Sequence, residues 1–221
     1  MNKESRQGHV SHGGSFRGLS YNRSDGPYAH TIPSLFQATL NMDRRCGYAV
    51  NQMASHTKLV LIGFMASGKS AVAMTLASKL NLPLVHVDEV IVSRSGYPTI
   101  PAIFADRGEA HFRDLEAEVA ASLREAHNVV ISTGGGIITR ESNMTNLKEN
   151  GGTIVYLRTS FDVVTERAGD LSTRPLFANK ATALELYAQR LPIYERYADI
   201  IIDTDGRSVD EVCSEILTQI R

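Results

Sequence analysis

The sequence predicts an α/β domain, a parallel sheet covered by helices on both faces, starting at Lys58. Three observations predict this fold. Short apolar runs alternate with segments of helical apolar spacing, as in strands joined by crossover helices. A glycine-rich pattern separates the first run from the first helix. The 221 residues, of which 43% are hydrophobic and 21% charged, are enough to form the core of one such domain.

The elements follow one another at short intervals. Strands are predicted at Leu59–Ile62, Leu84–Val87, Val129–Ile131, Thr153–Leu157 and Ile200–Ile202. Helices are predicted at Lys69–Leu80, at Glu109–Glu125 and at the C-terminus, where Val209, Val212, Ile216 and Ile220 share one face. A further helical pattern contains Pro192, which we expect to kink or interrupt it.

Residues 1–57 differ in composition from the rest of the chain. They are rich in Gly, Ser, His, Asn and Arg and lack strand or helix periodicity, which predicts a largely disordered extension. Three explanations stay open: a tail without function, a targeting segment, or upstream sequence that is not normally translated, with Met53 as the start. Glu4, Asp25 and Asp43 weigh against a transit peptide, although plastid targeting stays open.

Charge and cysteine content argue against several classes of protein. The formal net charge of −1 creates no overall field that would gather nucleic acid or an anionic membrane. Cys46 and Cys213 are too few for a disulfide framework and favour a reducing compartment, so we expect the cytoplasm. No run of 18 apolar residues occurs, so no membrane-spanning helix is expected.

The glycine-rich pattern at residues 63–70 matches G-x-x-x-x-G-K-[ST] in full. Its glycines let backbone N–H groups curl around a phosphate, and the following helix presents its positive N-terminus. Lys69 can reach the β- and γ-phosphates, and the Ser70 hydroxyl can ligate Mg²⁺. We therefore predict that ATP is bound by Gly63, Ala66, Ser67, Gly68, Lys69, Ser70 and Ala71.

The remaining motifs favour a small-molecule kinase. A GTPase needs N-K-x-D, and Asn179-Lys180-Ala181-Thr182 lacks the acid. A motor or helicase needs more chain than follows Lys58. Five clusters come after the phosphate loop, in this order: Asp88, F-R-x-x-E at 112–116, T-G-G-G at 133–136, R-P-L at 174–176 and R-x-P-x-Y at 190–194.

This ordered set resembles the shikimate kinase family over about residues 58–220. The resemblance implies a three-layer P-loop kinase fold, with a five-stranded parallel sheet of order 2-3-1-4-5, flanking helices and a lid. It implies transfer of the ATP γ-phosphate to the 3-hydroxyl of shikimate, a step toward chorismate and the aromatic amino acids. ATP, shikimate and Mg²⁺ are then the expected ligands, and the expected oligomeric state is a monomer.

The resemblance also implies roles at the acceptor end of the site. Arg113 and Arg190 match the two arginines that bind the shikimate carboxylate, and a planar guanidinium suits a carboxylate on physical grounds as well. Asp88 matches the acid that binds the acceptor hydroxyl and acts as base. The backbone of Gly134, Gly135 and Gly136 matches the part that touches the ring hydroxyls.

Further roles are implied at the nucleotide end. Arg174 matches the lid arginine that moves onto the phosphates, and Arg167 matches an arginine beside the adenine. Arg207 lies in Thr204–Arg207, where the family has its adenine loop. The expected catalytic residues are Lys69, Asp88 and Arg174, and the expected protein ligand of Mg²⁺ is Ser70.

Each cluster also has a purely structural interpretation. Arg113 and Glu116 are one helical turn apart and would form a weak pair if they lay at the surface. Asp88 would serve as a cap for the next helix, and three glycines are compatible with a simple turn. Arg190 would be a solvated helix charge.

The sequence departs from the family pattern at two places. His86 replaces the first acid of the usual Asp-x-Asp, and histidine suits Mg²⁺ poorly because that cation prefers oxygen ligands. The stretch from Arg174 to Arg190 looks short for a lid, with Phe177 where leucine is usual. Two alternatives stay open: a kinase of another small hydroxy acid such as gluconate, and a ligand-binding protein without turnover.

Overall fold

The computed structural model describes residues 57–168 and 180–220. The sequence predictions for residues 1–56 and for the R-P-L motif with Arg174 lie outside the described residues. None of the helices within 57–168 and 180–220 is long and apolar enough to cross a bilayer.

Five parallel strands form the central sheet. They are β1 Lys58–Ile62, β2 Leu84–His86, β3 Val129–Ser132, β4 Gly152–Arg158 and β5 Ile200–Asp203. The strand order is β2-β3-β1-β4-β5, which confirms the predicted order. In the register, Leu61 of β1 faces Ser132 of β3 and Val155 of β4, while His86 of β2 faces Ser132 from the other side.

Seven α-helices accompany the strands within the described residues. They are α1 Lys69–Leu80, α2 Val87–Ser95, α3 Ile100–Ser122, α4 Glu141–Lys148, α5 Phe161–Ala168, α6 Lys180–Tyr197 and α7 Val209–Gln219. Short 3₁₀ turns occupy Ile137–Thr139 and Glu149–Gly151. Helices α5 and α6 flank the interval 169–179, and α6 contains residues 180–190 of the stretch where the lid was predicted.

The central strand, β1, is the most deeply buried part of the sheet. All five residues of β1 are buried, as the continuous apolar run predicted for a parallel strand covered on both faces. One face packs on Val72 and Leu76 of α1 and on Val212 and Ile216 of α7. The apolar spacing of α7 therefore corresponds to the face that packs on the sheet. Ser208 and Glu211 form a reciprocal capping box at the start of this helix.

Two local predictions were wrong, and a third missed one segment. Val87 begins α2 instead of ending β2. The helix predicted from Glu109 follows a break at Gly108, whose φ of 76° and ψ of 177° are non-helical. The helical segment before that break was not predicted; it begins at Ile100, where Thr99 caps it and Pro101 fits its first turn. Helix α6 continues through Pro192 without interruption.

Candidate active site

The phosphate loop connects β1 to α1 at the carboxyl edge of the sheet. Gly63 has a φ of 148°, and a methyl group built there would lie 2.8 Å from the Leu157 carbonyl oxygen of β4. Gly68 has a φ of 91° at the N-cap of α1, a left-handed conformation that favours glycine. The loop therefore needs glycine at both ends, as its motif indicated.

Lys69 is folded back over this loop. Its Nζ donates hydrogen bonds to the Phe64 carbonyl oxygen at 2.6 Å and to Ser67 Oγ at 3.3 Å. The ammonium group is thus held at the N-terminus of α1, where the helix dipole and the loop amides also favour an anion. This is the arrangement expected of a site for a polyphosphate.

A cavity of about 550 Å³ opens beside the loop. Its walls bring together the loop, Asp88 from the first turn of α2, and the segment that follows β3. Its lining residues are Met65, Ala66, Gly68, Lys69, Ser70, Ala71, Asp88, Thr133, Gly134, Gly135 and Arg167. Part of the predicted nucleotide residues and part of the predicted acceptor residues therefore share one cavity.

The segment after β3 is fixed to β1 by Thr133. Its hydroxyl donates to the Leu61 carbonyl oxygen at 2.8 Å, and its backbone N–H donates to the same oxygen at 3.3 Å. The three glycines follow directly and turn into the short 3₁₀ helix, where Ile137 N–H donates to the Gly134 carbonyl oxygen. These bonds place the glycine segment, residues 134–136, between the phosphate loop and α3.

Charged side chains pack directly on the α-carbons of the glycine segment. A methyl group on Gly134 would lie 2.7 Å from Asp88 Oδ1 and 3.2 Å from Glu116 Oε1. A methyl group on Gly136 would overlap the Arg113 guanidinium. The glycines are therefore required because charged groups approach the backbone closely, and a simple turn does not explain them.

Arg113 is oriented by two carboxylates on its own helix. Its Nη1 lies 2.8 Å from Glu116 Oε2, and its Nη2 lies 3.0 Å from Glu109 Oε1. Arg113 is 8% exposed and Glu116 is 1% exposed, so the pair is buried and is not the surface pair considered above. Burial opposes the charge on Arg113, but the two carboxylates outweigh it and raise the pKa of Arg113.

Arg190 reaches the same cluster from α6 and is only 6% exposed. Its Nη1 donates to the Gly135 carbonyl oxygen at 3.3 Å. Burial, together with repulsion from the Arg113 charge, lowers the pKa of Arg190 from its ordinary value. Two guanidinium groups thus converge on one glycine segment, which excludes a solvated helix charge as the role of Arg190.

Glu116 is the counterion within this cluster. Burial raises the pKa of Glu116, while the Arg113 and Arg190 charges act in the opposite direction. Within the described residues, Glu116 Oε1 and Arg190 Nε are buried without hydrogen-bond partners. This cluster therefore has unused hydrogen-bonding capacity on both a buried guanidinium and a buried carboxylate.

A second cavity, of about 330 Å³, lies behind the phosphate loop. It is lined by Ser67, Gly68, Val72, Arg167, Thr204, Arg207, Ser208, Val209 and Val212. Arg167 lines both cavities, and its Nη2 donates to the Thr204 carbonyl oxygen at 3.3 Å. Arg207 lies 2.5 Å from Glu215 and also donates to the Asp203 and Glu211 carbonyl oxygens.

The predicted site residues fall into three groups. Those of the phosphate loop, Asp88, the glycine segment, Arg113 and Arg190 lie together. Arg167 and Arg207 lie at the second cavity, and Arg174 lies outside the described residues. Sequence reasoning gave no site role to Glu116 or Tyr194, although both belong to motifs that it singled out. Glutamate in a long amphipathic helix signals only a polar face.

Comparisons with known proteins point to one family. The family model described as "Shikimate kinase" matches residues 65–221. The chain is 41% identical to the shikimate kinase of Persephonella marina over 164 residues, which are 74% of this chain and 98% of that protein. It is 42% identical to the shikimate kinase of Aquifex aeolicus over 164 residues, which are 74% and 95% of the two chains.

The chain belongs to the shikimate kinase family. Solved structures of the family have the same fold. The shikimate kinase of Acinetobacter baumannii, in complex with shikimate, superimposes with a TM-score of 0.71 at 31% identity, covering 75% of this chain and 93% of that one. That of Bacteroides thetaiotaomicron gives a TM-score of 0.65 at 28% identity, covering 75% and 99%.

The charge balance of the shikimate kinase acceptor cluster is testable through Glu116. Glu116→Gln keeps the side-chain size but removes the charge that offsets Arg113 and Arg190, so we expect the free energy of unfolding to fall by about 3 kcal/mol in denaturant titration. Glu118→Gln, at an exposed position of the same helix, is the matched control and should change stability by less than about 0.5 kcal/mol. Equal effects of the two substitutions would contradict this interpretation.

Proposed function

We propose that this protein is a shikimate kinase that transfers the γ-phosphate of ATP to the 3-hydroxyl of shikimate. The observation that carries the proposal is the convergence of Lys69, Asp88 and the glycine segment on one cavity, with Arg113 and Arg190 packed against the same segment. A phosphate site and a carboxylate site therefore lie side by side. Family membership supports the same acceptor.

On the nucleotide side, the amides of residues 63–68 and the N-terminus of α1 hold the phosphates. Lys69 leaves its hydrogen bonds with Phe64 and Ser67 for the β- and γ-phosphate oxygens when ATP binds. Arg167 and Arg207 line the cavity behind the loop and contact the base of ATP. To Arg174, which lies outside the described residues, we assign the role of compensating the charge that develops on the phosphates.

On the acceptor side, Arg113 and Arg190 bind the carboxylate of shikimate. Both are buried, so their hydrogen bonds to a carboxylate are stronger than they would be in water. The N–H groups of Gly134, Gly135 and Gly136 donate to no other group within the described residues, which leaves them for the ring hydroxyls. Asp88 accepts a hydrogen bond from the hydroxyl that reacts.

The transfer step follows from this placement. The acceptor oxygen forms a bond to the γ-phosphorus, and the bond from that phosphorus to the β,γ-bridging oxygen breaks, so ADP leaves with the bridging oxygen. The hydroxyl proton passes to the Asp88 carboxylate, which faces the same cavity as Lys69. The protein contributes mainly position and fixed positive charge, as expected for phosphoryl transfer.

The donor set of the cavity fits Mg²⁺ that arrives with the nucleotide. No group of three His, Cys, Asp or Glu within residues 57–168 and 180–220 is placed to hold a metal ion alone. The exposed Ser70 hydroxyl lies on the cavity wall and offers an oxygen ligand beside the phosphates. When bound, the cation neutralises charge on the β- and γ-phosphates.

That the protein is a cytoplasmic monomer without nucleic-acid or membrane partners stays a prediction.

The acceptor is tested by coupled ADP release from ATP with shikimate, with gluconate and with no acceptor. We expect turnover with shikimate and only background rates in the other two reactions, because two guanidinium groups and the glycine segment fit a carboxylate on a hydroxylated ring. Mass spectrometry of the product should show one added phosphoryl group. Turnover with gluconate and none with shikimate would contradict the proposal, and nucleotide binding without turnover would identify a binding protein.

Asp88 is tested by Asp88→Asn, which keeps a hydrogen-bond acceptor but removes the proton acceptor. We expect kcat for shikimate to fall by about 10²- to 10³-fold, while the KM for ATP changes less than about twofold. Steady-state kinetics measure both. Glu89→Gln, at the exposed neighbouring position, is the control and should retain full activity. If the asparagine variant retains the wild-type kcat, Asp88 is not the base.

His86 is tested by His86→Asp, which restores an oxygen donor at the end of β2. Because Mg²⁺ prefers oxygen, we expect the Mg²⁺ concentration for half-maximal rate to fall by about tenfold, and the preference for Mn²⁺ over Mg²⁺ to decrease. Metal titrations of the initial rate measure both quantities. His127→Asp, at an exposed site after α3, is the control. An unchanged Mg²⁺ dependence means that His86 has no role toward the metal.

A further inference from the structure

The Gly135 carbonyl oxygen accepts two hydrogen bonds from helix α6. The Tyr194 hydroxyl donates to it at 2.5 Å, and Arg190 Nη1 donates at 3.3 Å. A methyl group built on Gly135 would lie 3.7 Å from the phenolic oxygen, which is an ordinary contact distance, so the hydrogen bond and not steric exclusion links Tyr194 to this glycine. The R-x-P-x-Y motif therefore contacts the glycine segment through both of its polar side chains.

Tyr194 is held rigidly in this position. It is 1% exposed, and its ring stacks on Tyr156 of β4, with centroids 5.0 Å apart and planes at 16°. Burial raises the pKa of the Tyr194 hydroxyl, so the group keeps its proton and remains a donor. The central sheet thus supports a ring whose polar end is directed at the acceptor site.

Fixing one carbonyl group fixes the next amide. In a trans peptide, the C=O and N–H groups point in opposite directions, so the Gly135 carbonyl determines where the Gly136 N–H points. On its other side, the same segment meets Asp88, Glu116 and Arg113. Without side chains of its own, the segment has few other means to keep this orientation.

Tyr194 also affects Arg190. The two donors share one acceptor, and the tyrosine makes the shorter bond. Arg190 therefore contributes only one of its N–H groups to the carbonyl, and its buried Nε has no hydrogen-bond partner within the described residues. If the phenolic donor were lost, the carbonyl would draw the guanidinium closer and away from a bound carboxylate.

We propose that Tyr194 is a positioning residue of the acceptor site, which sets the Gly135–Gly136 peptide and keeps Arg190 available to the acceptor carboxylate. This inference rests on the proposed function. In this proposal the hydroxyl of Tyr194 affects the affinity for the acceptor, while its ring packs against Tyr156. We expect a smaller effect on the nucleotide, because the second cavity, where the base is expected to bind, is lined neither by Tyr194 nor by the glycine segment.

The test compares Tyr194→Phe with Tyr156→Phe. Both remove one hydroxyl from the same stacked pair and keep both rings. The Gly135 carbonyl oxygen accepts from Tyr194 and Arg190 and not from Tyr156, so Tyr156→Phe is the matched control for loss of a hydroxyl from a buried ring. Steady-state kinetics give KM for shikimate and for ATP separately, and thermal unfolding gives the midpoint of each variant.

We expect Tyr194→Phe to raise the KM for shikimate by about tenfold, which corresponds to about 1.4 kcal/mol, the strength of one buried hydrogen bond. The KM for ATP should change less than about twofold in both variants. A purely structural role would instead lower the melting midpoint without separating the two KM values. Equal shikimate KM values for Tyr194→Phe, Tyr156→Phe and the wild type would overturn the inference.

Replacing Tyr194 by 4-aminophenylalanine restores a neutral donor at the same place. The shikimate KM should return to within about threefold of the wild type, and this comparison decides the matter even if Tyr194→Phe does not fold. An amino variant that folds but keeps a tenfold higher KM would overturn the inference. A wild-type chain that does not phosphorylate shikimate would overturn the proposed function, and the inference with it.

Discussion

The parallel direction of the strands is the constraint from which the site follows. Because all strand pairs are parallel, the carboxyl ends of the strands lie at one edge of the sheet. The phosphate loop follows β1, Asp88 follows β2, and the glycine segment follows β3. β3 pairs with both β1 and β2, so the three loops that follow these strands are neighbours at the same edge of the sheet.

Buried charge is concentrated where this edge meets α3 and α6. Arg113, Glu116 and Arg190 are each less than a tenth exposed, and they are packed against backbone that has no side chains. Removing these charges from water is costly, and Arg190 makes no ion pair of its own within the described residues, whereas Arg113 is paired with Glu109 and Glu116. The site is thus arranged for an anion, and the stability of this region is coupled to its affinity for one.

Much of the fold and the site could be predicted because the signals were local or belonged to a known pattern. The G-x-x-x-x-G-K-S motif predicts its own backbone conformation, since Gly63 and Gly68 occupy positions with positive φ values that glycine favours. Strand order came from the family resemblance and not from periodicity. Helices α2, α4 and α5 were not predicted, because eight- or nine-residue helices present too few apolar positions to define a face.

Other features depend on tertiary contacts that no local signal carries. The break at Gly108 looks like any glycine within an amphipathic stretch. Pro192 removes one N–H from α6, but packing at Arg190 and Tyr194, on either side of it, holds the helix together. The site role of Glu116 appears only when two arginines from separate helices are found beside it, since a carboxylate with arginine one turn away is common on helix surfaces.

The close packing of Arg113 on Gly136 also limits how this protein can evolve. Any residue with a β-carbon at position 136 would occupy the space of the guanidinium, so the arginine would have to leave its place between Glu109 and Glu116. Loss of the arginine first leaves Glu116 as a buried charge with a weakened counterion. Either single substitution therefore disturbs the buried pair of Arg113 and Glu116, so the effects of substitutions at positions 113 and 136 should not be additive.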